Sequence, residues 1–123
     1  MVFTPLKAFA DPPKNIIMEF NINPITGQPY NSPDSPKILK VKVVHPVKPN
    51  QQKHFISYIK VFLNKDLVVE QHFKSQSSDS AQEVCYSLID AKIGDKILTE
   101  AKCSIYGTDK KELLISEPKQ GEK

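Results

Sequence analysis

The chain has 123 residues, enough to bury one modest core and too few for two independent ones. Apolar residues make up 39% of it and charged residues 25%, a globular balance, while ten prolines confine it to short elements joined by loops. Its 17 basic residues, all lysine, are interspersed with 14 acidic ones for a net charge of +3. That spread argues against nucleic-acid binding, and no apolar run approaches the roughly 20 residues of a membrane helix.

Residues 1–14 read as a disordered terminus or as the remnant of a signal peptide. Ala8-Phe9-Ala10, ahead of Asp11-Pro12-Pro13, has the small-x-small spacing of a cleavage site, but Pro5 and Lys7 break the short apolar stretch before it. The second reading implies a periplasmic or exported protein, the first a cytoplasmic one. From Asn15 to Ile22, alternation puts Ile16, Met18, Phe20 and Ile22 on one face of a first strand. Four prolines with Gly27, Asn31, Ser32 and Asp34 make residues 23–36 a long irregular loop.

Lys37 to His45 alternates Leu39, Val41, Val43 and His45 against a more polar face, so a half-buried strand ends on an inward histidine. After a loop over residues 46–53, Phe55 to Leu63 is β-branched, aromatic and apolar on both faces, as a central strand is. Asn64-Lys65-Asp66 supplies a tight turn, and Leu67 to Phe73 returns as the hairpin partner. The polar run Lys74 to Ser80 reads as a loop with no evident chemistry. Gln82 to Ile89, Lys96 to Tyr106 and Lys111 to Ser116 complete the set, and residues 117–123 form a charged tail. Seven short strands separated by turns predict an all-β sandwich over residues 15–116.

Soft ligands are scarce: three histidines (His45, His54, His72) and two cysteines (Cys85, Cys103). The four glycines are dispersed, so no phosphate-binding loop exists, and no serine lies in a Gly-x-Ser-x-Gly elbow. The acidic residues fall mostly at outward or loop positions, where solvation is the expected role. The segments that carry chemistry are His45-Pro46, then His54-Phe55-Ile56, then Cys103-Ser104-Ile105-Tyr106-Gly107. His72, beside Phe73 in a hairpin, has the look of a surface residue.

These three pieces, in this order, resemble the iron domain of superoxide reductases and desulfoferrodoxins. There a His-Pro ends one strand, a histidine opens the next, and a Cys-Asn-x-His-Gly lies on a late strand. The resemblance spans roughly residues 37–116 and implies an immunoglobulin-like β-sandwich. It also implies a mononuclear iron held by four histidine nitrogens and an axial thiolate, with an open face for superoxide, and an electron donor or other protein partner. Carried over residue by residue, His45 and His54 match two of the histidines and Cys103 the cysteine. Tyr106 stands in place of the last histidine, and no histidine precedes His45 to supply the remaining one.

A set of two imidazoles and one thiolate suits zinc or copper better than ferrous iron, which sits low on the affinity ladder. A degraded iron site with reduced or absent superoxide chemistry is therefore expected. The alternative is a metal-free binding or adaptor module, loosely similar to the small subunit of the thiosulfate-oxidising sulfur carrier; either could be a homo-oligomer. Both cysteines read as buried on the apolar faces of consecutive strands. In an exported protein a hairpin about Ile93-Gly94 could pair Cys85 with Cys103 as a disulfide, which would remove Cys103 as a ligand.

Overall fold

A computed structural model describes residues 15–21, 37–48 and 53–116. The remaining segments, including Ala8-Phe9-Ala10, Ile22, the proline-rich loop over 23–36 and the tail over 117–123, lie outside the described residues. Seven strands run in chain order: β1 (Asn15–Phe20), β2 (Ile38–Val44), β3 (Ile56–Leu63), β4 (Asp66–His72), β5 (Ala81–Ser87), β6 (Lys96–Cys103) and β7 (Thr108–Leu114). They form two antiparallel sheets, ordered β1-β2-β5 and β4-β3-β6-β7. The all-β sandwich predicted by the alternation is thus the fold, and among the described residues no helix is long and apolar enough to cross a membrane.

The core follows from strand parity. Leu39, Val41 and Val43 of β2 face Ile59 and Val61 of β3 and Ile97 and Ala101 of β6, with Ile16 of β1, and all are fully buried. Thr99 is the one hydroxyl-bearing member of the β6 row. Its Oγ1 donates to Met18 Sδ at 3.0 Å, a bond from one sheet to the other that spares the core an unpaired hydroxyl.

At the end of the sandwich where β3 finishes, Asn64 and Lys65 both adopt positive φ (49° and 78°), as a two-residue hairpin turn between twisted strands demands. Asn64 then serves as a staple. Its Nδ2 donates to Asp95 Oδ1 at 2.9 Å and its Oδ1 accepts from Lys96 N, while Asp95 Oδ2 accepts from Lys92 N. The Asn64 amide and the Lys92 backbone N–H hold the Asp95 carboxyl below the usual carboxylate range. A lowered folded-state value means that the carboxylate adds stability above its unfolded pKa of about 3.9 and loses it as the pH falls through the folded value. Asp95→Asn is accordingly expected to flatten the acid limb of the stability profile, with the gap between variant and native chain closing below about pH 4 in urea titrations.

One connection differs from the expected one. β5 pairs with β2 and not with β6, so the chain crosses between sheets after Ser87, and Leu88 and Ala91 bury themselves in the crossing. No hairpin joins the two cysteine-bearing strands, and both cysteines are free. Cys85 also lies on the other face from the one expected. Val41 and Val43 lie opposite Val84 and Gln82, which fixes the inward row of β5 as Gln82, Val84 and Tyr86 and turns Cys85 outward beside Lys40. The expectation of a buried Cys85, and of a hairpin that brings it to Cys103, is therefore corrected.

Candidate metal centre

Three elements end at the same pole of the sandwich, opposite the Asn64 turn: β2 at its last residue, β3 at its first and β6 at its last. His45 continues the inward row of β2 one step past the strand. Its backbone N–H donates to Ser80 O at 2.9 Å, which keeps the strand direction through that step. Cys103 is the last member of the inward β6 row after Ile97, Thr99 and Ala101, and it is fully buried.

His54 reaches the interior by a different route. Counting back from Ile59 by simple alternation would turn Ser57 and Phe55 inward and His54 outward. Instead Ile56 lies opposite Cys103 and Tyr58 opposite Lys102, so two steps on β3 match one on β6 and Ser57 is a bulge. Ser57 Oγ donates to Lys102 O at 3.2 Å, and Ser57 O accepts from Phe73 N at 2.9 Å, which fixes the bulge from both neighbouring strands. The extra residue resets the parity, so Ile56 and His54 face inward, 0% and 5% exposed.

Ser104 locks His54 against Cys103. Its Oγ donates to Lys53 O and accepts from Phe55 N at 3.1 Å, and its backbone N–H donates to Phe55 O at 2.7 Å. Three bonds thus tie the residues on both sides of His54 to the residue after Cys103. Ser104→Ala removes two of them and is expected to cost about 1–3 kcal/mol in denaturant unfolding. It is also expected to weaken metal binding, because His54 loses its fixed position relative to the sulfur; a dye-competition titration reads that loss.

The outcome is a buried group of two imidazoles and one thiol. Donor atoms of His45, His54 and Cys103 all lie within 4.8 Å of one another. The two imidazole rings meet edge to face, with centroids 4.7 Å apart and planes at 86°. Donors on one ion with bonds of about 2.0–2.3 Å at tetrahedral angles stand about 3.3–3.6 Å apart, so the group lies within roughly 1–1.5 Å of ligation distance, a gap that small side-chain rotations close. Nitrogen and sulfur donors of intermediate softness suit zinc, copper and iron alike. By distance and by donor chemistry, the residues present fit a single metal ion. The Ile105 N–H points at Cys103 Sγ at 3.4 Å, a contact of the kind that tunes a metal-bound sulfur.

The other residues named from sequence are exposed. Tyr106 sits on the β6–β7 turn, 42% exposed, ahead of Gly107, whose φ of 91° the turn requires. His72 is on the outer face of β4, its side chain 65% exposed and its Nε2 2.8 Å from Glu70 Oε2, which fits the surface role expected of it. Cys85 is on the outer face of the other sheet.

Gln76, from the polar run that showed no chemistry in the sequence, is a residue of this centre. Its Oε1 lies 2.7 Å from His45 Nδ1 and 3.2 Å from Ile56 N, and its Nε2 donates to His45 O and Ser78 O. No spacing rule marks a lone glutamine in a serine-rich loop, so only the fold discloses it.

No curated protein and no solved structure matches the chain. A family model described as desulfoferrodoxin matches residues 23–112, more than half of the chain and a span that includes His45, His54 and Cys103. The chain belongs to the desulfoferrodoxin family.

Proposed function

We propose that this chain is a redox domain of desulfoferrodoxin type that binds one metal ion through His45, His54 and Cys103, and that it does not reduce superoxide at the rate a four-imidazole iron site supports. The observation that carries the reading is the convergence of three buried donors from three strand ends at one pole of the sandwich. Iron is the metal of the family. These 123 residues hold three histidines, and His72 lies on an outer face, so they do not by themselves form a square of four imidazoles. With three protein donors, affinity is expected to follow the order copper, then zinc, then ferrous iron.

A redox-active ion at this position would supply one-electron chemistry beside a thiolate. The chain's own residues supply the rest. Cys103 brings a sulfur under the Ile105 N–H, the imidazoles bring two nitrogen donors, and burial of all three shields these donors from bulk solvent. Periplasmic export and an electron-donor protein belong to the same proposal, the first resting on Ala8-Phe9-Ala10 and the second on the family. The metal-free adaptor reading is less well supported, since Cys103 is free and the two histidines lie edge to face.

Protein expressed with added iron, purified without chelator and analysed for metal, tests the reading. About one metal per chain with a visible ferric-thiolate absorption band is expected. A colourless chain that takes up neither iron, zinc nor copper would end it.

A further inference from the structure

We infer that Gln76 is a positioning residue that sets the tautomer of His45, so that Nδ1 carries the proton and Nε2 is the nitrogen presented to a metal; the consequence for metal affinity rests on the function proposed above. The two ends of the Gln76 carboxamide look alike in shape and differ only in what they can bond. On one side of Gln76 lie two carbonyl oxygens, His45 O at 2.7 Å and Ser78 O at 2.9 Å, which can only accept. On the other lies the Ile56 N–H at 3.2 Å, which can only donate. Three groups of fixed role therefore orient the amide: Nε2 faces the carbonyls and Oε1 faces Ile56.

His45 Nδ1, 2.7 Å from that same Oε1, is left with one compatible role. An acceptor facing an acceptor at 2.7 Å would be repulsive, so Nδ1 must be the donor, and the neutral ring then carries its lone pair on Nε2. The same side chain holds His45 at its ring and at its backbone carbonyl, and holds Ile56 two residues after His54. One loop residue thus links the ends of β2 and β3 that deliver both imidazoles. Outer groups of this kind fix ring orientation and raise ligand basicity, and their loss lowers metal affinity about 10–100-fold.

Two variants separate positioning from loop anchoring. Gln76→Leu removes every bond; Gln76→Glu keeps an acceptor for His45 Nδ1 and Ile56 N but loses the donors to both carbonyls. A role in holding the loop alone predicts equal damage from the two. The positioning role predicts that Q76L loses about 10–100-fold in zinc(II) affinity, measured by chelator competition, while Q76E stays within about tenfold of the native chain. Long-range proton–nitrogen NMR on the ¹⁵N-labelled full chain reads the tautomer directly, with and without zinc(II). The native chain is expected to show a protonated Nδ1 at His45 in both states and a zinc-shifted Nε2, and metal-free Q76L a mixture of tautomers.

A native His45 protonated at Nε2 in the metal-free chain, or equal zinc affinities for Q76L and Q76E, would overturn the inference. A chain that binds no metal but shows the Nδ1–H form, lost in Q76L, would refute the proposed function and leave the Gln76 assignment standing.

Discussion

Replacing Cys103 by serine is expected to abolish the visible thiolate band of the iron-loaded chain and to lower metal affinity by more than about 100-fold, beyond the loss of an outer-shell partner. The band arises from charge transfer out of a thiolate, which a hydroxyl cannot replace, and two imidazoles alone leave the ion with too few donors. Serine nearly preserves the volume, and Cys103 occupies the end of its row where Ala101 and Thr99 already pack. The variant should therefore fold, at a cost of about 1–2 kcal/mol in urea. Loss of the band in a folded protein would assign the sulfur. Cys85→Ser, on the outer face of β5, is the control and should change neither property.

The second large effect concerns stability. His45 directly follows β2 of the β1-β2-β5 sheet, whereas His54 precedes β3 and Cys103 ends β6, both in the β4-β3-β6-β7 sheet. A bound ion would therefore join the two sheets at one pole, opposite the end where Asn64 and Asp95 staple the loops. Free metal at about 100 times its dissociation constant should add about 2.7 kcal/mol, which for a domain of this size raises the melting temperature by roughly 10 °C or more. Calorimetry with zinc and then with excess chelator would show the shift and its reversal. Cys103→Ser should show little of it, and an equal shift in that variant would place the ion elsewhere.

Most of the strand plan was legible because alternation is a direct record of burial. Leu39, Val41 and Val43 lie inward as read, and the row continues to His45. The same rule misplaced Cys85, because β5 carries only Val84 and Tyr86 as large apolar residues, and polar Gln82, 5% exposed, occupies the inward position that decides the parity. It also could not place His54. Phe55 to Leu63 is apolar on both faces, so nothing in it announces a bulge at Ser57, yet that bulge turns His54 inward.

The site shows the same division. His45, His54 and Cys103 were recoverable as a set through family resemblance, since strands that pair through long crossovers bring together residues far apart in the chain. Tyr106 was suggested by position alone, and the structure leaves it exposed on a turn. Ser104 and Gln76, which hold the donors in place, are ordinary polar residues whose roles depend on distances that no spacing encodes.

X-ray absorption at the metal edge of the zinc- or iron-loaded chain decides whether His45, His54 and Cys103 form one centre, because it counts sulfur and imidazole neighbours without reference to activity. The expected shell holds one sulfur at about 2.3 Å and two imidazole nitrogens at about 2.0–2.1 Å, with any further positions filled by light atoms from solvent. A shell without sulfur, or one in which imidazole scattering survives unchanged in a His45→Ala, His54→Ala double variant, would contradict a centre built from His45, His54 and Cys103.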